Sequence, residues 1–276
     1  MIVRAAALLA LVAGPVGAQS LERRVAAAPD GTVRISYAAR PGVYGNGRSV
    51  IGWDCGRGNC RRQVDGNFSD VSEDDWRSTC DSGPVRLALT VRDGEVERLH
   101  VYVGGRWATP ASGGGGGGGG AGAHITDLGT VSTRDATGFL LALARRSRSP
   151  AADDAIFPAT LADSVTIWPA LLEIARSDGV QRRVRSQAVF WLGQAAGDAV
   201  TADLTDLVEE AGLDREVRES AVFALSQQPR ETGVPALIRI ARTNRDPEVR
   251  RKAIFWLGQS DDPRALALFE ELLTKP

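Results

Sequence analysis

Apolar positions along this chain change their period near its middle. In the first half they alternate: Val33, Ile35 and Tyr37 form one such run, and Val85, Leu87, Leu89 and Val91 another. A period of two gives a strand with one face in a core and the other in water. Asp93-Gly94 follows the second run, the dipeptide that suits a type I′ hairpin. The returning strand carries Val96, Leu99, Val101 and Val103. Pairing through a strict two-residue turn would set Leu89 against Arg98 and Leu87 against His100. One extra residue near Glu97-Arg98 matches Leu89 with Leu99, Leu87 with Val101 and Val85 with Val103. A β-bulge is therefore predicted there, with His100 and Tyr102 turned away from the core.

In the second half the spacing is helical and the pattern repeats. Val184-Arg185-Ser186-Gln187-Ala188-Val189-Phe190-Trp191-Leu192-Gly193-Gln194 returns as Val217 to Gln227 and again as Val249 to Gln259, at offsets of 33 and 32 residues. Upstream of each block lies a second apolar segment, at 169–175, 202–208 and 235–241. Each period thus holds two helices, and a fixed period of this length marks a solenoid, whose units bury apolar faces against their neighbours. Pro169 and Pro235 suit a first helical position. Asp214 and Asp246 suit N-caps, and Gly193 and Gly258 suit a tight turn at the helix end. On a helical wheel Val184, Ala188, Trp191 and Leu192 share one buried face, as do Val217, Ala221, Ala224 and Leu225, and Val249, Ala253, Trp256 and Leu257. Residues 133–165 read as a degenerate capping repeat whose second helix is shortened by Pro158, and Arg264 to Leu273 as a closing helix.

The Val-Arg-x-x-Ala-x-x-x-Leu-Gly blocks at 184–193 and 249–258 resemble the HEAT repeat, most closely the bacterial HEAT-like form also found in phycobilisome bilin lyases. Ser226 stands where the middle copy should have its glycine. The resemblance implies a binding scaffold and is silent on the ligand.

A charged Arg4, the apolar stretch Ala5 to Ala13 and the small-x-small end Val16-Gly17-Ala18 describe a secretory signal peptide cleaved after Ala18. The stretch is too short for a mature membrane anchor, and no span is expected elsewhere. Gly113 to Gly120 reads as a flexible linker that orients neither neighbour. The expected organisation is α+β and multidomain: signal peptide 1–18, small antiparallel β domain 19–110, glycine-rich linker 111–132, and an all-α HEAT-type superhelical solenoid over 133–276.

Charge argues against nucleic acid: residues 137–276 carry 18 Lys and Arg against 20 Asp and Glu. The clusters Arg182, Arg183, Arg185 and Arg250, Arg251, Lys252 face acidic counterparts at neighbouring repeat positions, which suggests inter-repeat ion pairs. Three cysteines, Cys55, Cys60 and Cys80, lie in the β domain of a chain bound for an oxidising compartment. Cys80 with Cys55 or Cys60 is the expected disulfide, with Cys55–Cys60 as the alternative. No metal or cofactor is expected, since the spacing lacks a fourth zinc ligand. His100 and His124 and the carboxylate pairs Asp153-Asp154 and Asp261-Asp262 match no catalytic motif, and no catalytic residue is assigned.

The remaining candidates are Phe157, Phe190, Phe223 and Phe255, which recur at one repeat position. Each either packs on the next repeat's helix or joins an exposed aromatic stripe that docks a partner. The sequence therefore points to a secreted or periplasmic, non-enzymatic protein-binding module. The resemblance to lyase-type repeats adds an alternative, an enzyme or chaperone-like subunit acting on a bound polypeptide.

Overall fold

A computed structural model describes residues 20–47, 50–53, 59–64, 67–72, 80–107, 124–194 and 198–274. The predicted signal peptide, the glycine run and Cys55 lie outside the described residues, as do the side chain of Cys60 and any disulfide built on either cysteine. Cys80 is buried.

The alternating segments form strands as expected. Strands β1 (Gly31–Tyr37), β7 (Val85–Arg92) and β8 (Glu95–Val103) lie side by side, and the β7–β8 register pairs Leu89 with Leu99, Leu87 with Val101 and Val85 with Val103. Thr90 faces Arg98 while Val91 faces Val96, so Glu97 is the extra residue of the bulge. Asp93 and Gly94 both have positive φ, as a type I′ turn requires. Five further strands make a second, antiparallel sheet: β2 (Tyr44–Gly45), β3 (Val50–Trp53), β4 (Asn59–Val64), β5 (Asn67–Ser72) and β6 (Asp81–Ser82), in the order β5-β4-β3-β2-β6. A short helix α1 (Leu21–Ala26), absent from the sequence reading, plugs Leu21 and Val25 into the core.

The linker expectation requires correction. Residues 124–130, assigned to the linker 111–132, form strand β9 (His124–Thr130), which pairs parallel to β1 and completes the sheet order β8-β7-β1-β9. The β domain is therefore not purely antiparallel. Nor are the sheet and the helices that follow independent bodies, because they share one core. Val33, Ile35, Leu87 and Leu89 belong to the same apolar cluster as Leu140, Ile156 and Leu171. Polar ties cross the same boundary. The buried Tyr37 hydroxyl donates to the Pro158 carbonyl at 2.6 Å, Ser149 Oγ to the Val96 carbonyl at 2.7 Å, and Arg146 pairs with Glu22 at 2.8 Å. The physical reason is surface: the inward face of a small sheet needs cover, and the first helices supply it.

Helices then run in pairs. The capping repeat is α2 (Thr133–Arg146) followed by two short pieces, α3 (Pro150–Asp154) and α4 (Ile156–Thr160). The second of these contains the buried Pro158 and ends two residues later, as the chemistry of proline predicts. Three helix pairs follow: α5 (Trp168–Arg176) with α6 (Arg182–Gln194), α7 (Asp198–Glu209) with α8 (Arg215–Ser226), and α9 (Arg230–Thr243) with α10 (Pro247–Gly258). Helix α11 (Pro263–Thr274) comes last. Successive second helices α6, α8 and α10 lie against one another. The expected register holds: Val184, Ala188, Trp191, Leu192, Val217, Ala221, Ala224, Leu225, Val249, Ala253 and Leu257 are buried. Trp256 is the departure; it is only half-buried, and among the described residues α10 has a second helix, α8, on one side alone.

Local chemistry differs from expectation at four positions. Gly193 and Gly258 do not turn the chain; both lie within helices and neither has positive φ. Gly193 is there for closeness, since a Cβ would fall 2.6 Å from Ala224 Cβ, whereas at Gly258 nothing comes nearer than Phe269 at 4.0 Å. Pro235 lies inside α9 instead of at its start. Gly233 allows that earlier start, since its missing side chain lets α9 sit against the Leu225 carbonyl. Asp246 caps α10 by accepting from the Glu248 amide at 2.9 Å, but Asp214 makes no side-chain cap bond and turns to Arg185 instead.

Candidate interaction surface

Phe190, Phe223 and Phe255 sit one residue before Trp191, Ala224 and Trp256 on α6, α8 and α10, and Phe157 one residue before the buried Pro158 on α4. That position turns each ring to the edge of the buried face, where the next helix covers part of it. Phe157, Phe190 and Phe223 are half-buried, and Phe255 is 54% exposed. They form a continuous row with the two tryptophans. Phe157 stacks on Trp191 at 5.1 Å, and Trp191 meets Phe190 edge-on at 5.1 Å. Phe190 lies parallel to Phe223 at 6.4 Å, Phe223 reaches Trp256 at 4.9 Å, and Trp256 meets Phe255 edge-on at 5.0 Å. These separations are those of attractive aromatic pairs. Each ring packs on an aromatic neighbour, and of the four Phe255 is the exposed one.

One turn further along each helix stands a glutamine: Gln194, Gln227 and Gln259, the last two exposed. The row is therefore apolar at its centre with carboxamides beside it, and several of the nearby charges are paired with one another. Arg185, itself buried, pairs with Asp214 and, at 3.4 Å, with Asp178; Arg218 pairs with Asp246 at 3.0 Å. Arg182 meets Glu216 at 2.9 Å and Arg183 meets Asp153 at 3.0 Å. Arg251 bonds Glu248 within its own helix, and Arg250 donates to the Asn244 carbonyl at 2.7 Å. The basic clusters thus bind adjacent repeats and helix ends.

The titratable candidates do not converge. His100 is exposed on β8 and His124 opens β9. Asp153 and Asp154 end α3, and burial pushes the Asp154 carboxyl upward with the neighbouring Asp153 charge adding to it. Asp262 does the opposite work at α11. Its carboxylate takes hydrogen bonds from the Arg264 side chain and the Arg264 amide, which lower its pKa to about 2. It is a helix clamp.

The HEAT repeats family matches residues 201–276, which covers α9, α10, α11 and the pair before them. This stretch of the chain is HEAT-like, and such repeats generally mediate protein–protein binding. No curated protein matches the chain. Among the described residues no helix is long and apolar enough to cross a membrane.

Proposed function

We propose that the protein is a secreted or periplasmic, non-enzymatic scaffold that captures a partner polypeptide on a superhelical HEAT-type solenoid. The observation that carries the reading is the aromatic row, which crosses every second helix and ends in the exposed Phe255. An exposed aromatic ring at the end of a half-buried aromatic row, with neutral carboxamides beside it, favours a polypeptide over a polyanion. The amino-terminal charge and hydropathy pattern supports export, with cleavage after Ala18. The sheet fused to the first repeat closes the solenoid at that end and directs binding toward the other. The likeness of the repeat blocks to bilin-lyase repeats keeps one alternative in play, covalent modification of the captured chain.

The test is in-cell crosslinking in a Gram-negative host, followed by mass spectrometry of the captured protein and amino-terminal sequencing of the mature chain. The proposal expects a periplasmic product starting at Gln19, and capture that falls in Phe223→Ala and Phe255→Ala with no mass change on the partner. A cytoplasmic product with an intact amino terminus defeats the export reading, and a new covalent adduct on the partner establishes the enzyme alternative.

A further inference from the structure

We propose that the open side of α10, with the adjoining edge of α11, takes an amphipathic helix of the partner polypeptide. That helix begins with an Asp N-cap and carries a large apolar side chain nine or ten residues later. This deepens the scaffold reading and rests on it. The occupant's chemistry is written in the junctions inside the molecule, where one second helix receives the next. Two contacts recur there. An arginine reaches forward to a carboxylate that starts the next second helix: Arg185 to Asp214, and Arg218 to Asp246 at 3.0 Å. Five residues on, a phenylalanine reaches forward to a ring near the end of that helix: Phe190 to Phe223, and Phe223 to Trp256. Asp246 also caps its own helix by accepting from the Glu248 amide at 2.9 Å. The receiving helix thus offers an Asp and, nine residues later at Phe223 or ten at Trp256, an aromatic ring.

Helix α10 repeats both forward-reaching groups with nothing to receive them. Arg250 donates to the Asn244 and Arg245 carbonyls at 2.7 and 3.2 Å, as Arg218 does to the Leu213 carbonyl at 3.3 Å. Arg218 adds a carboxylate to that loop contact, whereas among the described residues no carboxylate meets Arg250. Phe255 is 54% exposed. Helix α11 supplies a third group. Ala265 and Leu268 repeat the buried Val234 and Leu237 of α9 at an offset of 31 residues, which sets Leu272 at the position of Ala241. Ala241 is 5% exposed on a first helix that packs against its own second helix, while Leu272 is 47% exposed.

A cation and two apolar groups, from two helices, therefore stand where earlier repeats abut an incoming second helix. A solenoid end that faces water ordinarily carries a polar outer face. Burial of Phe255 and Leu272 under the apolar face of a helix supplies the driving force. Arg250 selects the charge of that helix and the direction in which it lies, because its acidic start must come beside the guanidinium. A helix that begins with Lys or Arg would set like charges together. A second copy of the chain does not offer such a helix: its Asp214 and Asp246 are already engaged by Arg185 and Arg218.

The probe is a fluorescein-labelled, hydrocarbon-stapled peptide that copies residues 246–259, titrated with the full chain by fluorescence anisotropy. The proposal expects saturable binding. Arg250→Asp in the chain should weaken it about tenfold, and a peptide carrying Asp246→Arg should restore it to that variant. Leu272→Lys should weaken binding of the native peptide at an unchanged melting temperature. Leu266→Lys is the control: that residue is 60% exposed at the outward position matching Pro235, and binding should stay as it was. No binding at the solubility limit, no rescue by the exchanged charges, or equal losses from Leu266→Lys and Leu272→Lys overturns the proposal. A dimer of the chain in sedimentation that Leu272→Lys abolishes also overturns it, by assigning the surface to a second copy. A crosslinked partner retained by Leu272→Lys removes this site while leaving the scaffold standing. Saturable peptide binding with no partner captured by the native chain does the reverse.

Discussion

Residues 184–193 and 249–258 spell the same phrase, Val-Arg-x-x-Ala-x-Phe-Trp-Leu-Gly, and fold into the same helix, yet their surroundings differ. In α6 the tryptophan is 5% exposed, stacked on Phe157 beneath a core shared with the sheet. In α10 the tryptophan is half-buried, its neighbour Phe255 is 54% exposed, and its indole N–H is unmet. Even the glycines diverge, one pressed against Ala224 and the other with room to spare. A repeat therefore fixes which residues face inward, while its neighbours decide whether they are closed in. The sheet covers the first end, and the last described second helix keeps an exposed apolar edge at Phe255.

The strongest way to break this contrast is to delete each indole. Trp191→Ala is expected to cost ~3–5 kcal/mol by chemical denaturation, the usual range for a buried aromatic. Trp256→Ala should cost distinctly less, and equal losses would erase the difference between the two ends. The glycines give a sharper test with smaller numbers. Gly193→Ala should destabilise by about 1–3 kcal/mol through overpacking against Ala224. Gly258→Ala should be neutral or stabilise by up to ~1 kcal/mol through helix propensity. Loss of stability at both positions would mean that the two junctions are packed alike.

The joint between sheet and helices is worth less per contact but decides how many bodies the chain has. Ser149→Ala removes the bond to the Val96 carbonyl and should cost about 1 kcal/mol. Hydrogen exchange should show the amides of Val131 and Asp163, which donate to Ser36 and Ala38, opening together with β1. Separate unfolding of sheet and helices would restore two independent domains. The smallest effect is at the far end and depends on pH. Asp262 has its pKa lowered to about 2, below the usual carboxylate value near 3.9. Its contribution is therefore complete above the unfolded value and is lost as pH falls through about 2. Asp262→Asn should flatten the acid limb of a stability-versus-pH curve between those values, and an unchanged limb would show that the clamp contributes nothing.

Much of the molecule was legible before any coordinates. The 33-residue recurrence located α5 to α10 in their pairs, and the buried face of each second helix was read correctly except at Trp256. The hairpin register was readable to the residue, because a one-position mismatch between Leu89 and Leu99 admits one bulge. The phenylalanines were identified, but not that each packs on an aromatic neighbour while Phe255 is the exposed one. Gln228 was not foreseen, since it looks like any polar loop residue until its carboxamide is seen crossing to Gly193.

What the sequence determined by itself is periodic and local: strand or helix, the inward face, the repeat length and the turn. These follow from backbone geometry, which maps spacing onto faces without reference to anything distant. Tertiary structure alone decided that His124 to Thr130 returns past the glycine run to lie beside β1, merging sheet and helices into one core. It also decided that equal blocks at 184 and 249 become a sealed junction and an open one. Both outcomes depend on which surface remains uncovered once the local elements exist, and on the size of single side chains such as Ala224 facing that surface. Close packing makes such sizes decisive only after the neighbours are in place.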